Sequence, residues 1–212
     1  MANRITLYFM RHGWSEADDE NVHGGRYDDA LTAKGRAQVL ARAQDFAARN
    51  IKFDSIVAST LRRAHQSALI VAQTLGGTVD TDPDWMEFDN GALAGLSFDE
   101  AAKRYPVPAF RNPYESFHGT GESDVDIQMR ATRALQNVVR RGPGCHLVVA
   151  HGGILNAVMR VIVGAPPVLN GKHGIAFWFR DATYARVHYY PADHYWALAE
   201  IVDELPSPDS DE

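Results

Sequence analysis

Two short apolar runs constrain this chain more than any other feature: residues 5–10 (ITLYFM) and 145–150 (CHLVVA). Each stops at a polar turn containing histidine and glycine, Arg11-His12-Gly13 after the first run and His151-Gly152-Gly153 after the second. Runs of this length, rich in β-branched and aromatic residues, read as buried strands. Between them the period changes. Thr32 is a candidate N-cap for a helix to about residue 50, with Ala37, Leu40, Ala43 and Phe46 along one face. Residues 54–58 (DSIVA) form a third apolar run. After it, Ser59 and Thr60 offer caps to a helix bearing Leu61, Ala64, Ala68, Val71 and Leu75, which Gly76-Gly77 ends. Residues 123–141 and the stretch from His151 to Gly164 read as further helices. Strands alternating with helices predict an α/β fold, a three-layer α/β/α sandwich with a mostly parallel central sheet.

The remaining segments are less regular. Residues 78–121 hold four of the ten prolines and a small helix with a capping box from Ser97 to Glu100, which suggests a lid or side-wall insertion. Residues 175–179, 184–190 and 195–202 read as three strands joined by tight turns, partly antiparallel at the end of the sheet. The expected organisation is a single domain over residues 1–202, followed by a disordered, solvated acidic tail over 203–212. That tail (DELPSPDSDE) holds five of the 27 acids and no base, so the rest of the chain has 22 acids against 21 bases.

A nearly neutral body without a basic stripe predicts no nucleic-acid partner, because phosphate neutralisation supplies most of that affinity. Cys145 is the sole cysteine, which excludes an intrachain disulfide and fits a reducing compartment. No run approaches the ~18 apolar residues of a membrane span, and the chain starts without a leader pattern, so the expectation is a cytoplasmic protein with no membrane partner. An edge strand over 195–202 would suit pairing in a homodimer.

Carboxyl ends of strands in α/β sheets are where ligands bind, and both His12 and His151 fall there. His151-Gly152-Gly153 also opens a helix, whose free N–H groups favour an anion. Arg11 supplies a forked cation, and Arg62 or Arg63 another; two arginines with two histidines describe a phosphate clamp. His23, His65, His118, His146, His173, His188 and His194 lack such context and read as ordinary polar residues. No metal-ligand spacing such as H-E-x-x-H occurs, and no metal is expected. A neutral imidazole can attack phosphorus in line, which makes a histidine the candidate nucleophile. The leaving alkoxide needs a proton. Glu87 lies among Trp85, Met86 and Phe88, a setting that would raise its pKa into the range of a general acid, with Asp89 the competing acid. A surface carboxylate at a strand end is the plain alternative for Glu87.

These residues resemble the histidine phosphatase superfamily, the phosphoglycerate mutase-like fold. Arg11-His12-Gly13 matches its opening motif, and residues 25–35 (GRYDDALTAKG) its G-x-x-D-x-x-L-T-x-x-G segment. Residues 59–64 (STLRRA) are similar to its S-x-L-x-R-A, Glu87 through Leu96 to its acidic segment, Gly121-Glu122-Ser123 to its G-E-S, and 148–153 (VVAHGG) to its second histidine motif. The resemblance implies His12 as the phosphorylated nucleophile, Arg11, Arg63 and His151 as the phosphate pocket with Gly152 beside them, and Glu87 as proton donor. It selects Arg63 over Arg62, and it implies no metal and no cofactor.

Three departures bear on substrate. Trp14, Ser15 and Asp18 stand where the family has Glu or Gln, Thr or Ser, and Asn, and are candidate substrate contacts. Trp14 is either a stacking wall or plain packing at the loop base. An ionised Asp18 would repel a phosphate dianion, so it is protonated, turned away, or paired with a basic group of the substrate. Phe88 and Asn90 replace the Arg and Tyr with which the family's mutases hold the carboxylate of phosphoglycerate, and 101–120 offer only Lys103, Arg104 and Arg111 as cations. The expected function is a metal-independent phosphomonoesterase acting on a small phosphate ester through phospho-His12. The alternatives are a cofactor-dependent phosphoglycerate mutase and a non-catalytic phosphate- or phosphoprotein-binding module. Specificity is expected in Trp14, the 91–120 wall and the 170–174 loop.

Overall fold

The computed structural model describes residues 3–167 and 175–206. In chain order the elements are β1 (Ile5–Arg11), α1 (Glu16–Glu20), α2 (Ala33–Ala48), β2 (Ser55–Ala58), α3 (Arg62–Leu75), β3 (Val79–Thr81), α4 (Phe98–Arg104), α5 (Asp124–Val139), β4 (Gly144–Ala150), α6 (Gly152–Ile162), β5 (Tyr184–Tyr190) and β6 (Tyr195–Val202). The strands form one six-stranded sheet in the order β3-β2-β4-β1-β5-β6. β3, β2, β4 and β1 run parallel; β5 and β6 close one side antiparallel. The architecture is the α/β fold expected, with a mostly parallel sheet.

The strand period of two sorts the core into two layers. Ile5, Leu7 and Phe9 of β1 share one face with Val148 and Ala150 of β4 and pack with Ile127, Ala131, Leu135, Ile154 and Val158 from α5 and α6. Tyr8, Met10, Leu147 and Val149 point the other way, against Val39, Ala43 and Phe46 of α2 and Ala64, Ala68 and Val71 of α3. Because both faces are covered, the buried positions of the central strands are apolar on both faces apart from Thr6 and His146, rather than alternating. Removing Leu7 or Phe9, each fully buried, would forfeit about 2 kcal/mol of transfer energy before any cavity cost.

Helix caps follow the sequence in two of three cases. Thr32 Oγ1 accepts from Gly35 N at the start of α2, and Ser97 Oγ accepts from Glu100 N at the start of α4. At α3 neither Ser59 nor Thr60 is the cap; Leu61 occupies that position, and Ser59 Oγ accepts from Leu61 N instead.

Three other expectations are corrected. Residues 175–179 are not a strand: Asn156 of α6 donates to Phe177 O and accepts from Phe177 N, both at 2.7 Å, so a side-chain amide supplies the bonds a sheet neighbour would give. The 78–121 segment is not a side wall from its start, since β3 pairs with β2 and Trp85 is fully buried against Phe9. The short α1 had no apolar period to reveal it. Residues 203–206 are anchored although Asp203 and Glu204 stay exposed: Leu205 packs on the α2/α3 side of the core and Glu204 O accepts from the buried Arg42. The 170–174 loop and the remainder of the acidic tail lie outside the described residues.

Candidate active site

β1 and β4 are neighbours in parallel register, Arg11 opposite Ala150, so the two histidines that follow emerge side by side. Their ring centroids are 5.0 Å apart, and both side chains are buried. Gly13 lets the first turn of α2 approach the loop closely, because a Cβ on it would lie 2.4 Å from Gly35 O.

The bonds of His12 assign its tautomer. Nδ1 lies 2.7 Å from Gly13 O, an acceptor only, so it carries the proton. Nε2 is left with its lone pair and accepts from Arg63 Nε at 3.2 Å. Burial first, then the charges of Arg63 and Arg11, hold the His12 pKa well below its ordinary value. The same causes, with His12 itself, depress that of His151. Both rings are therefore neutral at pH 7.

Arg63, in the first turn of α3, is buried and heavily used. Nη1 donates to Tyr27 O and pairs with the buried Asp29 carboxylate, and Nη2 donates to Gly25 O at 2.8 Å. Arg11 is held from the turn before β5: Nη1 donates to Phe179 O at 3.0 Å, and Nη2 lies 3.4 Å from Asp181 Oδ1. The same turn grips the backbone, through Arg11 N to Thr183 O and Ala182 N to His12 O, both 3.1 Å. His151 Nε2 and Ser59 Oγ are 2.8 Å apart. Among the described residues, Arg11 Nε and His151 Nδ1 are buried without a hydrogen-bond partner.

Glu87 reaches the first turn of α6, where Oε2 accepts from Gly153 N at 2.9 Å and Oε1 from Ile154 N at 3.0 Å; Phe88 N also donates to Oε1. The polar bonds replace the apolar setting its neighbours suggested. Asp89, the competing acid, is 3.3 Å from Arg26 and accepts from Gly91 N, so it is committed to the loop. Behind Glu87, the buried Arg130 donates to the carbonyls of Asp84, Met86 and Glu87 and makes a two-pronged pair with Glu122.

The structure thus brings Arg11, His12, Arg63, His151, Gly152 and Glu87 together. Ser15 and Asp18 are engaged with each other: Asp18 Oδ2 accepts from Ser15 N and Oγ at 2.8 and 3.0 Å, closing a capping box on α1. Asp18 thus has a hydrogen-bonding role within α1 that needs no substrate. Trp14 donates from Nε1 to Asp19 and carries Lys34 Nζ 3.4 Å from its ring centroid. Asp29, Ser59, Arg130 and Asp181 were not read as site residues. Asp29 and Ser59 lie inside matched motifs, whereas Arg130 and Asp181 carry no local signal.

The pattern of the histidine phosphatase superfamily (branch 1) matches residues 7–200. The chain belongs to that superfamily. Within the superfamily it is 34% identical over 169 residues to a 2,3-bisphosphoglycerate-dependent phosphoglycerate mutase of Mesorhizobium japonicum, covering 75% of this chain and 82% of the relative. It is 32% identical over 161 residues to a Hydrogenobacter thermophilus protein named for phosphoserine phosphatase activity, covering 74% of this chain and 78% of that one. Among solved structures, Bacillus stearothermophilus YhfR shares the fold at TM-score 0.80 and 24% identity, over 95% of this chain and 98% of its own. A mycobacterial glucosyl-3-phosphoglycerate phosphatase does so at 0.76 and 24%, over 95% and 99%. No helix among the described residues is long and apolar enough to cross a membrane.

Proposed function

We propose that the protein is a metal-independent phosphomonoesterase that hydrolyses a small phosphate ester through phospho-His12. The observation that carries this reading is the His12 tautomer, with its Nε2 lone pair held in a pocket of arginines. Nε2 attacks phosphorus in line while the ester oxygen departs; Arg11, Arg63 and His151 hold the three equatorial oxygens. The buried, unpartnered Arg11 Nε is a donor that such an anion would satisfy, as is His151 Nδ1 in the tautomer whose Nε2 accepts from Ser59 Oγ. Glu87 protonates the leaving oxygen, which requires one of its bonds to Gly153 or Ile154 N–H to be exchanged for the substrate. Water then attacks phospho-His12, Glu87 takes its proton, and phosphate leaves.

The mutase relative keeps a second reading in view, in which the phosphoryl group passes to another hydroxyl. Phe88 and Asn90 argue against it, because neither supplies a cation for the carboxylate of phosphoglycerate.

Phosphate release from sugar phosphates, phosphoglycerates, nucleotides and an aromatic phosphate, measured in chelator, tests the proposal. Chelator-resistant release that His12→Ala lowers by about 10³-fold or more supports it. Conversion of 3- to 2-phosphoglycerate outpacing release, with bisphosphoglycerate added, would establish the mutase. Binding of phosphate esters without either reaction would establish the binding module.

A further inference from the structure

One face of α6 runs from the phosphate pocket to a cation that the mechanism does not use. Gly152, Gly153, Asn156 and Arg160 line a cavity of about 370 Å³ whose far wall includes Phe88 and Asp124. Gly152 follows His151 directly, so one end of the cavity adjoins the place where phosphate would sit. Arg160 lies eight residues on, about 12 Å along the axis between Cα atoms. A helical side chain leans back toward the N-terminus, which brings the guanidinium nearer to the phosphate end than its Cα.

The charges of the cavity are unequally matched. Asp124 Oδ1 accepts from Arg111 Nη2 at 2.8 Å, and the Arg111 guanidinium lies 5.5 Å from the Phe88 ring centroid. Asp124 Oδ2 is buried without a hydrogen-bond partner among the described residues, so this one carboxylate faces two guanidinium groups, Arg111 and Arg160, along the cavity. Arg160 donates from Nε to Ile175 O at 3.0 Å, and among the described residues the charge acting on it is that of Asp124. Burial pulls the Arg160 pKa down, with Asp124 acting against this, which describes a guanidinium short of solvation.

We propose that Arg160 binds a second anionic group on the leaving group, so that the substrate is a compact phosphate ester bearing a carboxylate or a further phosphate. The proposal rests on the phosphomonoesterase reading and names its substrate class. It also accounts for Phe88 and Asn90: the second anion is met from α6, and Phe88 packs along the body of the leaving group. The span of α6 between Gly152 and Arg160 sets how far that anion lies from phosphorus.

The experiment compares kcat/KM for propyl phosphate, 3-phosphoglycerate and propane-1,3-diol bisphosphate in the wild type, Arg160→Gln and Arg160→Lys. The wild type is expected to favour one or both anionic substrates over propyl phosphate by tenfold or more. Arg160→Gln should cut that ratio by about tenfold, chiefly through KM, since a charge-assisted contact made in ground and transition states alike is lost. Arg160→Lys should restore part of it. Whichever of the carboxylate and phosphate substrates shows the larger ratio identifies the group bound. Release from all three esters with no preference, or a preference that Arg160→Gln leaves intact, overturns the inference while the phosphatase reading stands. No release from these esters or from any member of the wider panel overturns that reading as well.

Discussion

Arg63 Nε donates to Nε2 of His12 across 3.2 Å, so the atom placed to attack phosphorus is already bonded to a group placed to hold it. The contact needs His12 neutral. Burial penalises the charged ring first, and the Arg63 guanidinium beside it second, which is why the pKa of the ring is depressed.

The depression has a signed consequence for stability. His12 and His151 have folded-state pKa values well below the 6.5 of an unperturbed histidine. Above pH 6.5 neither state binds the proton, and the two histidines leave stability independent of pH. Below it the unfolded chain takes up protons that the folded chain refuses, so stability falls, by about 1.4 kcal/mol per pH unit for each histidine, until the folded pKa is reached. Urea unfolding of wild type and His12→Asn between pH 5 and 8 checks this. The wild type should lose stability relative to the variant as pH drops below 6.5; parallel curves would show that His12 is not held neutral by the fold.

Asp29 should prove a structural keystone for Arg63. Both side chains are buried, and Asp29 also accepts from Ala17 N at 3.0 Å. Asp29→Ala leaves a buried guanidinium short of its counter-ion, and about 3 kcal/mol of stability should be lost. Turnover should fall too, as Arg63 reorients. Denaturation and phosphate release measured on the same preparation decide it; unchanged stability would mean that Tyr27 O and Gly25 O suffice to hold Arg63.

Gly153→Ala should displace Glu87. The added Cβ would lie 2.4 Å from Oε1, closer than real contacts allow, and the carboxylate must move off the α6 N-terminus. If Glu87 is the proton donor, kcat should drop by about tenfold or more on an alkyl phosphate and much less on an aromatic phosphate, whose phenolate leaves with little help. Equal losses on both substrates would assign Glu87 a purely structural part.

Sequence legibility followed locality. The buried strands, the helices with a clear apolar stripe, and the two histidines at strand ends were all readable, because each is specified by residues within a few positions of one another. Family motifs then picked Arg63 from Arg62. The departures read less well: Asp18, a candidate substrate contact, closes a capping box three residues from Ser15, a signal the local sequence contains. Asp181 and Arg130 could not have been found this way. Each acts on a site residue from a distant part of the chain, Asp181 on Arg11 and Arg130 on the carbonyl of Glu87.

The sequence by itself determined the α/β layering and the placing of His12 and His151 at the ends of buried strands, since periodicity and strand ends are local properties; that the two strands are neighbours is a property of the sheet. Only the tertiary structure decided which proton His12 carries, how Glu87 is bonded, and that Arg160 shares a cavity with the α6 N-terminus. Those facts depend on bonds and burial created when distant segments meet, and no spacing along the chain encodes them.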